Sequence, residues 1–187
     1  MDQKQYFSGF ERVLRACLKG PAHRRGLEDA VNMLKSTARA RTKIILVGNG
    51  GSSAIAEHMA IDLSKNAGLR AIAISGTPML TTFANDFGYD KVYQKGVETF
   101  ADRGDVLIAI SSGGTSKNIL NTVAAARAKK MKVITFSGFG ADNPLRQSGD
   151  INIWVDSRAF GYVEMVHNLL IHYINDAIIG KVEYMIR

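Results

Sequence analysis

Five short apolar segments constrain the fold of this chain more than any other feature of its sequence. Each is five or six residues long, is bounded by turn-forming or charged residues, and lacks the apolar–polar alternation of a half-exposed strand. Continuous apolar runs of this kind are typical of strands that are buried on both faces of a parallel sheet. The predicted strands lie at 43–47, 70–74, 105–110, 132–136 and 151–155.

Segments with helical periodicity lie before, between and after these runs. Apolar residues recur at helical spacing in two leading segments, 3–18 and 22–38. Further helices are predicted at 52–65, over 79–100 in two pieces, at 116–129 and at 161–179. Alternating strands and helices predict an α/β fold in three layers, a five-stranded parallel sheet flanked by helices, with right-handed crossovers. Because no repeat, linker or low-complexity segment interrupts the pattern, residues 1–187 are predicted to form one domain.

The composition excludes several classes of function. No apolar run approaches the roughly 20 residues that span a bilayer, and the N-terminal residues lack the basic and apolar regions of a secretory signal. The one cysteine, Cys17, permits no internal disulfide, so we predict a cytoplasmic protein that binds no membrane. The formal net charge is +7, but lysine and arginine are dispersed and not interleaved with aromatic residues. We therefore predict no nucleic-acid partner and a positive field that concentrates small anionic substrates.

Two glycine- and serine-rich turns follow predicted strands and open predicted helices. The first reads GNGGSS and contains Asn49, Gly50, Gly51 and Ser52, and the second, SSGGTS, spans residues 111–116. Glycine lets backbone N–H groups approach an anion closely, and the helix N-terminus adds partial positive charge. Both turns belong to the carboxyl edge of the predicted sheet, where open α/β sheets bind ligands, so their hydroxyls and amides suit a small phosphomonoester. N-capping by serine is the structural alternative, and it is compatible with phosphate binding.

Histidine and carboxylate residues recur on two of the predicted helices. His58 and Asp62 lie four positions apart and share one helix face. The last helix carries Glu164, His167 and His172, of which Glu164 and His172 lie near one face. A single histidine on an apolar helix is usually a core residue, but a histidine and a carboxylate on each of two helices favour a site. Two histidines and two carboxylates suit a divalent metal such as zinc, and they equally suit metal-free acid–base catalysis.

Taken together, the motifs resemble the sugar isomerase (SIS) domain family and, within it, the sedoheptulose-7-phosphate isomerases, also called phosphoheptose isomerases. The resemblance covers almost the whole chain. It rests on GNGGS, AEHMAIDL (56–63), FANDFGYD (83–90), GDVLIAISSGGTS (104–116), KKMKVITFSG (129–138) and EMVHNLLIH (164–172). The resemblance implies the SIS fold and an aldose–ketose isomerase that acts on a phosphorylated sugar through an enediol. It also implies a divalent metal, with zinc the expected ion, and a homotetramer whose sites use more than one subunit and whose assembly employs the leading helices.

The resemblance implies roles for individual residues as well. Asp62 and His172 match the positions of the base and the acid in proton transfer. The expected metal ligands are His58, Asp62, Glu164 and His172. The expected substrate-binding residues are Asn49, Gly50, Gly51, Ser52, Asn85, Asp86, Ser111, Ser112, Gly113, Ser116 and Glu164. Within that set, Ser52, Ser111 and Ser116 match phosphate contacts, and Asn85 and Asp86 match positions that line the sugar site.

Three positions depart from the family pattern. Asp62 replaces the usual glutamate, Glu164 replaces the usual glutamine, and Gly113 replaces a hydroxyl-bearing serine of the phosphate-binding turn. Two other functions stay open at this point. One is an isomerase of a different ketose phosphate, which an altered turn could accommodate. The other is a non-catalytic SIS module that binds a protein partner, against which the four retained histidine and carboxylate positions argue.

Overall fold

The computed structural model describes residues 2–183 and contains a single five-stranded sheet in which every neighbouring pair is parallel. The strands are β1 (Ile44–Gly48), β2 (Ala71–Ala73), β3 (Val106–Ser111), β4 (Lys132–Ser137) and β5 (Ile151–Trp154). Their order across the sheet is β2-β1-β3-β4-β5. Every residue of β1 and β3 is buried, as expected for inner strands that are covered on both faces.

Helices cover both faces of this sheet. The α-helices of the described residues are α1 (Gln3–Lys19), α2 (Pro21–Ala40), α3 (Gly51–Lys65), α4 (Thr77–Phe87), α5 (Val92–Phe100), α6 (Lys117–Ala128) and α7 (Phe160–Ile179). One core cluster joins α2, α3, α7 and the end of α1 to one face, and a second joins α5 and α6 to the other. The predicted three-layer α/β fold is therefore confirmed. Within residues 2–183, no helix is both long enough and apolar enough to cross a membrane.

Local sequence explains where several helices begin and end. The Asp2 carboxylate caps α1 by accepting hydrogen bonds from the backbone N–H groups of residues 4 and 5. Pro21 opens α2 at a position where its missing N–H costs nothing. Gly88, at φ +87°, ends α4, and a short 3₁₀ turn, Tyr89–Lys91, leads into α5. This break divides the predicted helical segment 79–100 into two pieces.

The predicted element boundaries are displaced by one or two residues, and the displacement matters at the carboxyl ends of the strands. The sheet ladder continues beyond the apolar runs, since Gly48 pairs with Ile110 and Ser111 pairs with Ser137. Ser111 is therefore the last residue of a strand, and both glycine-rich turns begin at the same edge of the sheet. The outer strand β2 is shorter than predicted, and only Ala71–Ala73 pair with β1.

Candidate active site

The turn between β1 and α3 brings two glycines against α7. Gly50 has a φ of +53°, a conformation that residues with side chains rarely adopt. Gly51 begins α3 opposite Glu164, and a Cβ added to it would lie 2.7 Å from Glu164 Oε2. Glycine at position 51 thus lets the Glu164 carboxylate approach the N-terminus of α3, where the helix dipole favours negative charge.

The turn between β3 and α6 is rich in buried hydroxyls. Ser111 Oγ lies 3.4 Å from Ser116 Oγ and accepts a hydrogen bond of 3.3 Å from the Gly114 backbone N–H. Gly114 has a φ of +68°, and a Cβ there would collide with the side chain of Asn143. Ser112 Oγ is buried and has no hydrogen-bond partner among the described residues. An unpaired buried hydroxyl is costly and calls for an explanation, and since Ser112 lines the cavity between the turns, it is a candidate contact for a ligand.

A cavity of about 590 Å³ lies between the two turns, within the usual size range of small-molecule sites. The predicted residues that line it are Asn49, Ser52, Ser111, Ser112, Gly113, Ser116 and Glu164. The other lining residues include Phe139 and Asn143 after β4, and Arg158 and Phe160 after β5. The sequence motifs did not indicate these four residues. Because ligands bind at the carboxyl edge of an open α/β sheet, the segments after β4 and β5 could have been considered as parts of the site.

Arg158 is a basic side chain in the lining of this cavity, which also includes the carboxylates of Asp142 and Glu164. It lines the same cavity as Glu164, but neither side chain forms an ion pair with any residue in the described part of the chain. The guanidinium is therefore available to an anionic ligand.

Asn49 is held in place by two residues, Asn118 and Tyr89, for which the sequence predicts no role. Asn118 Nδ2 donates to Asn49 Oδ1 at 2.8 Å, and Asn49 Nδ2 donates to Asn118 Oδ1 at 3.0 Å. The Tyr89 hydroxyl also donates to Asn49 Oδ1, at 3.0 Å. These bonds connect the first glycine-rich turn to the first turn of α6 and to the connection between α4 and α5.

Helices α3 and α7 bring His58, Asp62 and His172 together. One ligand atom from each of the three lies within 4.8 Å of the others. Asp62 Oδ2 is 3.4 Å from His58 Nε2 and 3.8 Å from His172 Nδ1, and the carboxylate is the least exposed of the three side chains. The imidazoles are accessible at its sides, so the group offers two nitrogens and one oxygen to a metal or a substrate.

The structure places Glu164, the predicted fourth metal ligand, outside this group. Glu164 precedes His172 by eight positions, which is about 12 Å along a helix axis, and its carboxylate lies against Gly51 instead. Similarly, His58 follows Gly51 by seven positions, or about 10 Å along α3. A single chain therefore contains two separate parts, the cavity between the turns and the His58–Asp62–His172 group.

Asn85 and Asp86 are not brought to either part in the single chain. Both are exposed on α4, outside the lining of the cavity. Asn85 Nδ2 donates to Asp86 Oδ1 at 2.9 Å. The amide and carboxylate thus bond to each other at the surface.

His167 lies in the core rather than in a site. It is fully buried, its Nε2 lies 3.1 Å from the backbone oxygen of Ser137, and its ring meets Phe136 edge-on with ring centroids 5.6 Å apart. Burial lowers the pKa of the His167 imidazole to about 4. The residue is consequently neutral near pH 7, as expected for a core histidine.

Comparison with known proteins identifies the family. The sequence profile of the SIS domain matches residues 5–138. The phosphoheptose isomerase of Pectobacterium atrosepticum is 38% identical over 168 residues, which cover 87% of this chain and 86% of that protein. The phosphoheptose isomerase of Sodalis glossinidius is 36% identical over 169 residues, which cover 88% and 86%.

Solved structures agree with this assignment. A phosphoheptose isomerase from Francisella tularensis superimposes with a TM-score of 0.87 at 27% identity, covering 95% of this chain and 96% of that chain. A phosphoheptose isomerase from Neisseria gonorrhoeae gives a TM-score of 0.86 at 30% identity, with 94% and 96% covered. The chain therefore belongs to the SIS domain family and, within it, to the phosphoheptose isomerases.

Proposed function

We propose that the chain is an aldose–ketose isomerase that converts sedoheptulose 7-phosphate to a heptose 7-phosphate through an enediol. The curated relatives described above are phosphoheptose isomerases that align over 86% of their own length, which supports the same activity here. The observation that carries the proposal is the His58–Asp62–His172 group. It provides a carboxylate and two imidazoles close together, the groups that proton transfer between neighbouring carbons and oxygens requires.

The phosphate of the substrate is proposed to bind in the cavity between the two turns. Ser111, Ser112 and Ser116 lie between the end of β3 and the start of α6, Ser52 contributes from the other turn, and Arg158 adds a positive charge. Hydrogen bonds to a phosphate are charge-assisted and therefore strong. Binding this remote group would hold the sugar in register for the chemical step.

Proton transfer is proposed to use Asp62 as the base and His172 as the acid. The Asp62 carboxylate removes the proton from the hydroxyl-bearing carbon beside the carbonyl and returns it to the former carbonyl carbon. His172 gives a proton to the carbonyl oxygen and takes the proton from the neighbouring hydroxyl, so the substrate is rearranged without a second reactant. Asp62 Oδ2 and His172 Nδ1 lie 3.8 Å apart, close enough to act on adjacent atoms of one sugar.

The same group fits a zinc ion. Two imidazole nitrogens and one carboxylate oxygen are typical of catalytic zinc sites that keep a position open. His58, Asp62 and His172 would hold the ion, each through one ligand atom, whereas Glu164 lies outside this group against Gly51. When bound, zinc supplies a Lewis acid that polarises the sugar carbonyl.

The protein is proposed to assemble as a homotetramer, with α1 and α2 contributing to assembly. Ile61 on α3 is 63% exposed and adjoins Asp62 in sequence, and Met165 and Leu169, on the same helix as His172, are 55% and 44% exposed. Large apolar residues exposed together around a site favour coverage by another copy. Leu169→Lys is expected to dissociate the assembly and abolish turnover, as measured by light scattering and activity at the same concentration. A variant that is monomeric and fully active would contradict this part of the proposal.

The function is tested by following sedoheptulose 7-phosphate by NMR with wild-type protein and with Asp62→Asn. We expect wild-type protein to form an aldose phosphate and the variant to lose a factor of about 10² or more in kcat. Phosphate affinity should be unchanged, because Asp62 lies outside the cavity. Asp102→Asn is the matched control, since this carboxylate is exposed and lies before β3, at the opposite edge of the sheet. Turnover by Asp62→Asn at the wild-type rate would place the base elsewhere.

A further inference from the structure

Asn118 lies beneath the candidate cavity, and it contacts Asn49 but does not line the cavity itself. It is 3% exposed and belongs to the first turn of α6. We propose that Asn118 is a positioning residue that fixes the side-chain orientation of Asn49 and makes Asn49 a hydrogen-bond donor toward the ligand. The inference rests on the proposed function, in which this cavity binds the phosphate of the substrate.

The orientation of both amides follows from one backbone group. The Ile119 N–H donates to Asn118 Oδ1 at 3.0 Å, and a backbone N–H can only donate, so this atom of Asn118 must be the oxygen. Asn118 Nδ2 then faces Asn49 and donates at 2.8 Å, which requires the oxygen of Asn49 on that side. The Ile119 N–H thus sets the orientation of the Asn118 amide, which in turn sets that of Asn49.

The hydrogen bonds of Asn49 determine what it can offer a ligand. Asn49 Oδ1 accepts from Asn118 and from Tyr89, which occupies both of its lone pairs. Asn49 Nδ2 uses one of its two hydrogens on Asn118 Oδ1 and keeps the other. Asn49, which lines the cavity, therefore presents a donor and no acceptor, and this polarity suits phosphate or hydroxyl oxygens.

The same bonds also fix the relative position of the two turns. Asn49 belongs to the turn after β1, and Asn118 belongs to the helix that follows Ser116. A paired amide bridge between them holds the serine hydroxyls and the glycine-rich backbone at a constant spacing. This preorganisation lowers the cost of ordering the site when an anion binds.

The test compares Asn118→Ala with Thr122→Val in the full-length protein. Thr122 is fully buried one turn further along α6, and its Oγ1 donates to the backbone oxygen of Asn118 at 2.6 Å. It is a control for damage to α6 that leaves the Asn49–Asn118 amide pair intact. Three quantities are measured for each variant: the melting temperature, the Kd of inorganic phosphate, and KM and kcat for sedoheptulose 7-phosphate.

We expect Asn118→Ala to raise the phosphate Kd and KM about tenfold with kcat unchanged, because ordered donors to a bound anion are lost. Thr122→Val should lower the melting temperature and leave the phosphate Kd and KM unchanged. Tyr89→Phe removes one bond to Asn49 at an exposed position and should raise the phosphate Kd about threefold. This variant decides the question if Asn118→Ala does not fold.

Three results would overturn the inference. The first is that Asn118→Ala and Tyr89→Phe both bind phosphate as tightly as wild-type protein. The second is that Thr122→Val loses as much phosphate affinity as Asn118→Ala, and the third is that wild-type protein does not bind phosphate. The last result would also overturn the proposed phosphate site. If wild-type protein binds phosphate but does not isomerise sedoheptulose 7-phosphate, the proposed function fails, and the phosphate comparison still decides the role of Asn118.

Discussion

Ser112→Ala is expected to stabilise the free protein and to weaken its binding of phosphate. Ser112 is 4% exposed, and its Oγ has no hydrogen-bond partner among the described residues. Leaving a buried hydroxyl unpaired costs about 1–3 kcal/mol, so its removal should raise the free energy of unfolding by about 1 kcal/mol. For a domain of this size that change corresponds to roughly 2–4 °C in melting temperature.

The expected effect of Ser112→Ala on phosphate binding is unfavourable, and it is larger than the expected gain in stability. A hydrogen bond to a charged group contributes about 1.5–3 kcal/mol, so the phosphate Kd should rise roughly 10- to 150-fold. Both expected effects are attributed to the same oxygen, which lacks a partner among the described residues and would gain one if phosphate binds as proposed.

Thermal unfolding and phosphate titration measure the two effects, with Ser64→Ala as the matched control. The Ser64 hydroxyl donates to the Ala71 backbone oxygen at 2.9 Å and accepts from the Ala71 N–H at 3.2 Å, and it lies outside the cavity. Ser64→Ala should therefore destabilise the protein without changing the phosphate Kd. The reasoning would be refuted if Ser112→Ala destabilised the protein as Ser64→Ala does, or if it bound phosphate as wild-type protein does.

Glu164→Gln is expected to tighten phosphate binding, because it removes a like charge from the cavity, and to leave the zinc content after identical purification unchanged, because Glu164 lies outside the His58–Asp62–His172 group. Equal zinc in both proteins would confine the metal site to His58, Asp62 and His172. His167→Gln tests the buried imidazole, whose pKa is lowered by burial from 6.5 to about 4. Between these pH values the unfolded chain binds a proton that the folded chain does not, so wild-type stability falls as pH decreases, by about 3 kcal/mol at pH 4. Chemical denaturation at pH 7 and pH 5 should show a smaller loss in the variant, and equal losses would contradict this account.

Local patterns predicted most of the fold. The apolar runs at β1 and β3 are buried along their whole length, as predicted for all five runs, whereas β2 at the edge of the sheet is only partly buried. The two glycine-rich turns could also be recognised from local sequence, since each lies directly between an apolar run and a segment with helical periodicity. Their meeting at one edge then follows from parallel pairing.

The parts that depend on contacts between distant segments could not be read from the sequence. The amide pair of Asn49 and Asn118 joins residues 69 positions apart, and although Asn49 belongs to the GNGGSS turn, nothing in the sequence links it to Asn118. The direction of Glu164 depends on how closely α3 approaches α7 at Gly51. Helical spacing showed that Glu164 and His172 lie near one face of α7. It did not show that Glu164 belongs to the cavity and His172 to the group with His58 and Asp62.

The separation between the two parts of the site within one chain supports the proposed homotetramer. Asp62 follows Gly51 by eleven positions, which is about 16 Å along α3, so a sugar phosphate held by the serine turn must span a large distance to reach Asp62 of the same chain. The imidazole of His58 and the side chains of Ile61 and Met165 are exposed, and we propose that a second copy packs on this surface. If copies associate there, the His58–Asp62–His172 group of one chain can face the cavity of another, and the distance within a single chain no longer limits the reaction. Exposed Asn85 and Asp86, which reach neither part in the single chain, fit the same explanation, because they too would act on a site completed by another subunit.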